Sequence, residues 1–499
     1  MGIRNLSSAI SVIHFVLIGA FMAKDIKFGT DGWRGVIADD YTFENVRRAG
    51  GAIAAYVLKN EDWKKGLVIG YDTRYGSRRF AEAISEVITD AGIPVKFAND
   101  YTPTPAISYC TKHWSAAGGV AITSSHNPYM WNGVKFKEKF GGSARPSVIK
   151  QIEAEIATGA MPKRTKAKVE EVDLKGPHRE AITKFADLDL ISKSGFKILV
   201  DYMYGAGRGV VGPILKERGV NVVEIRSEVN PLFPGINPEP IEPHVRAAQD
   251  EVVKQGCHAG FVTDGDADRI GAVAEDGTFL DAHKCYAVIL HWLLKYKKWP
   301  GAVTRAFNTT KMLDRIARKY DRELIEHGIG FKYVCDVVFS GKEVLIGGEE
   351  SGGIGIPLYL PERDGMLNSL LLANAMADEK KSLGQIVKSL QEEFGYHHYG
   401  RRDLTIPDEV KFGAIRRADS GEVKKVGKYS VLRKENLDGV KFYLETPNNN
   451  GRDAEAWVLM RASGTEPLMR IYSEAASPAL VHEILASAVA FVMEKATAA

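Results

Sequence analysis

Val120-Ala-Ile-Thr-Ser-Ser-His-Asn-Pro128 begins as an apolar run and ends in two hydroxyls, a histidine and a proline. Gly119 to Ile122 has the composition of a buried strand and Asn-Pro favours a turn, so the serines sit where a strand ends. In open α/β sheets ligands bind outside the carboxyl ends of the strands, and a hydroxyl displayed there is placed for chemistry. Either Ser124 or Ser125 could be the displayed one. Ser125 has His126 beside it and Lys135 downstream across Asn132-Gly133, and a cation can stabilise an anionic adduct on a serine oxygen. A polar turn without chemistry is the competing reading of this stretch alone.

Upstream, strands and helices alternate. Phe28-Gly-Thr-Asp-Gly-Trp-Arg-Gly35 is a glycine-rich loop that brings backbone N–H groups and the Arg34 guanidinium close to an anion. Thr42 caps an amphipathic helix carrying Phe43, Val46, Ile53 and Val57 on one face. Leu67-Val-Ile-Gly70 reads as a buried strand, and a helix runs from about Arg79 to Ala91. This alternation predicts an α/β unit, whose end falls in the Lys/Glu-rich segment Met161 to Lys175.

Beyond it, Phe196-Lys-Ile-Leu-Val200 and Ala259-Gly-Phe-Val262 read as strands of a second unit. The latter delivers Thr263-Asp-Gly-Asp-Ala-Asp-Arg-Ile270. Three carboxylates at alternate positions, Asp264, Asp266 and Asp268, repel one another unless a cation sits among them, so a metal site is the natural inference. An EF-hand loop opens with the same spacing, and its last ligand would fall on Glu275. The sixth position, however, holds Arg269 where the sharp turn needs glycine. Ile270 to Ala274 and Thr278 to Leu280 flank Asp276-Gly277 as a β-hairpin, which carries Glu275 away. Three carboxylates leave open positions, which suits Mg²⁺ shared with a phosphate.

A third unit contributes Gly328-Ile-Gly-Phe-Lys332, a lysine in a glycine-lined loop, and Gly347-Gly-Glu-Glu-Ser-Gly-Gly353. The second loop presents carboxylates and a hydroxyl on a flexible backbone, as vicinal sugar hydroxyls require. The last unit changes to hairpins. Its turn Arg461-Ala-Ser-Gly-Thr-Glu-Pro467 gathers a bidentate guanidinium, two hydroxyls and unhindered N–H groups, the composition of a phosphate cradle.

The chain of 499 residues exceeds one core and implies several domains. A net charge of +3 against 66 basic and 63 acidic side chains gives no polyanion-binding signal, so nucleic acid is not an expected partner. Cys110, Cys257, Cys285 and Cys335 are scattered, which fits buried thiols in a reducing compartment. Ala9 to Phe21 is mostly apolar and loosely like a signal peptide, but it is too short to span a bilayer and no convincing cleavage site follows. Residues 1–21 are therefore read as an N-terminal extension, with Met22 the working start.

Four of these stretches resemble the signature motifs of the α-D-phosphohexomutases, the phosphoglucomutase and phosphomannomutase family. They are Thr123-Ser-Ser-His-Asn-Pro128 with Asn132-Gly133 and Lys135, Asp264-Gly-Asp-Ala-Asp-Arg269, Gly348-Glu-Glu-Ser-Gly352 and Arg461-Ala-Ser-Gly-Thr-Glu-Pro467, in the family's order over 22–499. The resemblance implies three similar α/β domains with mixed sheets and a smaller C-terminal α+β domain around a central cleft, with boundaries at 22–174, 175–278, 279–396 and 397–499. It implies that Ser125 carries a phosphoryl group and, with Asp264, Asp266 and Asp268, binds Mg²⁺. Phosphoserine would give its group to the free hydroxyl of a hexose 1- or 6-phosphate. The hexose 1,6-bisphosphate so formed turns over, serves also as activator, and returns the other phosphate.

On this reading Arg34, His126, Lys135 and Arg269 offset charge on the transferring group, and Lys135, its pKa lowered by neighbouring cations, is the general acid/base. Glu349 and Ser351 bind sugar hydroxyls, with Lys332 near the ligand. Arg461, Ser463, Gly464 and Thr465 hold the other phosphate. The expected substrate is a glucose or mannose phosphate, with glucosamine phosphate or a non-catalytic sugar-phosphate binder as alternatives. The expected setting is cytoplasmic, away from membranes, as a monomer or dimer. A serine hydrolase is disfavoured because adjacent residues on an extended strand end point to opposite sides, leaving His126 badly placed to deprotonate Ser125.

Overall fold

Apolar runs bounded by glycine, asparagine and serine become strands in the computed structural model, which describes residues 26–29, 31–447, 455–464 and 467–494. The extension 1–21, and the proposed start at Met22, lie outside these residues. Two units make up the chain: the first runs to His178 and takes in 204–206 and 228–238, and the second holds the remainder.

The first unit is built on β1 (Trp33–Val36), β2 (Leu67–Tyr71), β3 (Val95–Ala98), β4 (Gly118–Ile122), β5 (Trp131–Glu138) and β6 (Val169–Val172), in the order β1-β5-β4-β2-β3-β6. β2, β3, β4 and β6 pair in parallel, while β5 and β1 join antiparallel. β2 and β4 are buried at every position, as expected of parallel strands covered by helices on both faces. Thr42 caps Phe43–Asn60 by accepting from the Asn45 amide, and Val46, Ile53 and Val57 of this helix enter the core. Phe43 does not: it lies half exposed, with its ring against Phe80. The segment Met161 to Lys175 is more than the linker its composition suggests. Val169–Val172 pairs with β3 and extends the sheet through backbone hydrogen bonds, with its glutamates left in solvent.

In the second unit β7 (Lys197–Asp201), β8 (Asn221–Ile225), β9 (Ala259–Thr263), β10 (Ile270–Ala274) and β11 (Phe279–Leu280) form a mixed sheet in the order β11-β10-β9-β7-β8. Because Leu280 pairs with Ala272, the boundary expected at 278 cuts through this sheet and belongs two residues later. A third sheet runs β13-β12-β14-β15, from β12 (Ala302–Ala306), β13 (Leu324–His327), β14 (Val344–Gly348) and β15 (Ile354–Gly355). The last is antiparallel throughout: β16 (His398–Thr405), β17 (Lys425–Val426), β18 (Tyr429–Glu435), β19 (Val440–Leu444), β20 (Trp457–Ala462) and β21 (Leu468–Ala475), ordered β16-β21-β20-β19-β18-β17. Its inner face meets Val481, Ile484, Leu485, Ala488 and Val492 of the helix Pro478–Met493. Three α/β domains with mixed sheets and an α+β C-terminal domain are thus the architecture.

One helix has no polar face. Gly365–Glu379 is buried over nearly its whole circumference, the mark of a core helix. Asp364 caps it by accepting from the Met366 and Leu367 amides. A side chain at Gly365 would strike the Arg269 carbonyl at 2.2 Å, so glycine lets this helix abut the acidic loop directly. Among the described residues no helix is long and apolar enough to cross a membrane.

Candidate active site

Ser125 follows β4 in the left-handed region, at φ 50°, a conformation that costs a residue with a Cβ about 1–3 kcal/mol and persists only where the surroundings hold it. Arg74 imposes it. Its guanidinium donates to the carbonyls of Ser125 (2.5 Å), Asn127 (2.7 Å), Pro128 (2.9 Å) and Trp131 (3.1 Å), and its Nε faces Asp72 at 3.2 Å. Asp72 also accepts from the Ser77 and Thr123 hydroxyls, and Thr123 Oγ1 accepts from the Ser125 amide at 2.8 Å. Burial pushes the Asp72 carboxyl upward, and Arg74 acts against that push. Phe233 places its ring 5.1 Å from the Arg74 guanidinium. The loop 123–131 is therefore wired to one buried cation.

The left-handed turn has a consequence the extended-strand argument misses. His126 is brought to the same side as Ser125, its Nδ1 3.4 Å from the serine Oγ. That separation is long for a hydrogen bond and suits orientation of a group on the oxygen. Arg34, on β1, reaches the same loop by donating to Asn127 Oδ1 at 2.6 Å. Lys135, on β5 and 2% exposed, has the Asp31 carboxylate 2.9 Å away. The same carboxylate has the Lys137 ammonium 3.9 Å from its other oxygen, so Asp31 stands between two lysines.

In the second unit the β9–β10 turn buries Asp264, Asp266 and Asp268 completely, with one oxygen of each within 4.8 Å of the others. Ala267 takes φ 59° at the apex, and its amide donates to the Asp264 carbonyl. Three hard, buried oxygen donors from one turn could hold a small divalent cation. Arg269 stands 4.0 Å from Asp264, 3.9 Å from Asp268 and 3.4 Å from Glu239. Glu275, the residue an EF-hand would need, is engaged elsewhere: it accepts from the Ser382 hydroxyl and the Gly384 amide at the start of Leu383–Phe394.

The acidic turn is tied to the loop 348–353. The Ile270 amide donates to the Gly352 carbonyl, and Gly352, at φ 93°, lies so close that a Cβ would sit 2.5 Å from the Ile270 oxygen. Arg363 bridges the two, at 2.8 Å from Asp268 and 3.4 Å from Glu349. Burial raises the Glu349 carboxyl to about 7, with Arg363 opposing. Ser351 is partly exposed on the same loop.

Arg461, next to last in β20, donates from Nε to Asp438 Oδ1 at 2.8 Å. Ser463 is held by its amide to the Leu468 carbonyl, and its own carbonyl accepts from the buried Lys411 ammonium. A Cβ built on Gly464 would meet none of the described residues within 4 Å. Thr465 lies outside the described residues. Lys332 opens the helix Lys332–Phe339, and the Ile329 amide before it donates to Asp438 Oδ2 at 2.8 Å.

Four family models match in order: phosphoglucomutase/phosphomannomutase alpha/beta/alpha domain I at 25–163, domain II at 177–277, domain III at 281–394 and the C-terminal domain at 449–490. The phosphoglucosamine mutase of Caldicellulosiruptor bescii is 31% identical over 90% of this chain and 94% of its own. The chain belongs to the α-D-phosphohexomutase family. It is an isomerase of the phosphohexomutase type. The phosphoglucomutase/phosphomannomutase of Thermococcus kodakarensis is 29% identical over 92% of this chain and 96% of that protein. A solved structure from Thermus thermophilus, assigned as a phosphomannomutase, aligns with TM-score 0.81 and 34% identity over 95% of this chain and all of that one.

The sequence reading missed the residues of this phosphohexomutase that hold others in place: Asp72 and Arg74 behind Ser125, Asp31 beside Lys135, Arg363 between Asp268 and Glu349, and Asp438 between Arg461 and Ile329. Asp72-Thr-Arg74 stands in a strand-end loop, a signal that could have drawn attention to it.

Proposed function

We propose that this phosphohexomutase moves a phosphoryl group between O1 and O6 of an aldohexose phosphate, with Ser125 as carrier and a hexose 1,6-bisphosphate as intermediate. The observation that supports it most is the left-handed Ser125 pinned by Arg74 at a strand end, since strain of this kind is held where a group must be displayed in one pose. In the forward half-reaction the bond from phosphorus to Ser125 Oγ breaks and a bond to the sugar hydroxyl oxygen forms. The proton leaving the sugar hydroxyl ends on Ser125 Oγ as the phosphorus–Oγ bond breaks, with the Lys135 side chain, held by Asp31, as the general acid/base that relays it. His126 orients the phosphoryl group and Arg34 adds positive charge near it. Asp264, Asp266 and Asp268 fit Mg²⁺, which would supply neutralisation of phosphoryl charge.

Glu349 and Ser351 would accept from and donate to the sugar hydroxyls, while Arg461, Ser463, Gly464 and Thr465 would hold the phosphate that is not reacting. The sugar is proposed to be glucose or mannose. Glucosamine phosphate fits as well, favoured by relatives named phosphoglucosamine mutase. Four buried cysteines, none of them in a disulfide among the described residues, suit the reducing cytoplasm. Rates on glucose 1-phosphate, mannose 1-phosphate and glucosamine 1-phosphate, with Mg²⁺ and a trace of the matching bisphosphate, test the reading. Turnover of one or more with dependence on Ser125 is expected, and turnover retained in Ser125→Ala would overturn the carrier assignment.

A further inference from the structure

Asp438 lies in the β18–β19 turn of the C-terminal domain, outside every motif that carries the proposed chemistry. Its two carboxylate oxygens are divided: Oδ1 accepts from Arg461 Nε and Oδ2 from the Ile329 amide, each at 2.8 Å. The first partner belongs to the phosphate cradle and the second to the glycine-lined loop that leads into Lys332. Asp438 thus holds the guanidinium by its Nε edge, the edge opposite the paired Nη groups. Arginine recognises phosphate through that fork, and a held fork loses less freedom on binding than a mobile one.

The hairpin bearing Asp438 is itself docked on the third domain. Lys441, on β19 and fully buried, donates to the Phe307 carbonyl, lies 3.5 Å from Glu326, and sits over the rings of Phe307 (3.8 Å) and Trp457 (4.8 Å). The turn residue Asp438 is therefore delivered to the Ile329 amide by an anchored strand.

We propose that Asp438 is a positioning residue for phosphate recognition: it orients the Arg461 fork and couples that orientation to docking of the 328–332 loop. This rests on the reading of Arg461 as part of the phosphate cradle. Asp438→Asn keeps an acceptor for one partner and removes the charge that holds the other. Asn-Gly is also a favoured hairpin sequence, so folding is preserved. Asp438→Glu, with the carboxylate displaced, is the second variant. Steady-state kinetics on glucose 1-phosphate or glucosamine 1-phosphate, whichever is turned over faster, are compared for Asp438→Asn, Asp438→Glu, Arg461→Ala and the Asp438→Asn/Arg461→Ala pair, with melting curves for each.

The expected result is a KM raised about tenfold in Asp438→Asn with a smaller change in kcat, an intermediate rise in Asp438→Glu, and no further rise when Asp438→Asn is added to Arg461→Ala. A KM unchanged in Asp438→Asn, or effects that simply multiply in the double variant, would overturn the coupling while leaving the cradle intact. A KM unchanged in Arg461→Ala would overturn the cradle and the coupling with it.

Discussion

Replacing Arg74 by alanine removes the cation around which the serine loop is wired. Asp72, 1% exposed, would lose its ion-pair partner but keep the Ser77 and Thr123 hydroxyls and the backbone amide of residue 74. Stripping one member from a buried pair costs about 3–5 kcal/mol, and the retained donors put this case near 3. Four carbonyls, those of Ser125, Asn127, Pro128 and Trp131, lose the Arg74 hydrogen bond, although that of Pro128 keeps the Trp131 amide. At roughly 1 kcal/mol per orphaned acceptor, with water entering the truncated space for about half of them, another 1–2 kcal/mol goes. The sum, about 4–5 kcal/mol, is a large fraction of an ordinary domain's stability. The assay is thermal unfolding, expected to fall by about 10–15 °C in the transition of the first unit. Because burial already pushes Asp72 upward and Arg74 opposes it, the variant is expected to protonate Asp72 more readily, so the deficit narrows as pH falls. Turnover per folded molecule should drop about a hundredfold, as Ser125 leaves a pose it holds only under restraint. Arg74→Ala with wild-type melting temperature and wild-type turnover would refute the reasoning.

Three further outcomes follow. Chelation of divalent cations should abolish turnover and lower the melting temperature, with both restored by Mg²⁺, whose stabilisation reaches about 2.7 kcal/mol at a concentration a hundredfold above its Kd; Asp266→Asn should blunt both responses. Glu349, raised by burial to about 7 from an ordinary 4.5, contributes stability that is fully present below pH 4.5 and lost as pH rises through 7. Urea midpoints at pH 5 and pH 8 should therefore differ less in Glu349→Gln than in the wild type, while the variant binds hexose phosphate more weakly. Gly365→Ala, which forces a methyl against the Arg269 carbonyl at 2.2 Å, should cost several kcal/mol or displace the acidic turn, read as a lower melting temperature together with weaker Mg²⁺ activation.

Much of the architecture is legible because its signals are local. Val120 to Ile122 and Phe261 to Thr263 are apolar runs that end in polar turns, and Thr42, Asp364 and Ser477 announce helix starts by residue type and spacing. Val169–Val172 escaped because its stability comes from backbone pairing with Val95–Ala98 at an exposed edge, and its glutamates carry no burial pattern. The candidate groups stand out in the sequence for the same local reason: three aspartates in one turn, a serine at a strand end, a guanidinium beside two hydroxyls. Their supports do not. Arg74 meets carbonyls more than fifty positions away, and Asp438 meets an amide 109 positions away. No periodicity within a window encodes such pairs. The pose of His126 failed for a related reason: the backbone angle at Ser125 is set by Arg74, which neighbouring residues do not reveal.

The central claim is that Ser125 carries the transferred group. Intact-protein mass after incubation with the hexose bisphosphate and Mg²⁺, followed by peptide mapping, tests it directly. The account predicts an adduct of one phosphoryl group on Ser125, absent in Ser125→Ala and lost from the wild type on exposure to hexose monophosphate. An adduct on Ser124 or another residue, or turnover with no adduct at any stage, would contradict it.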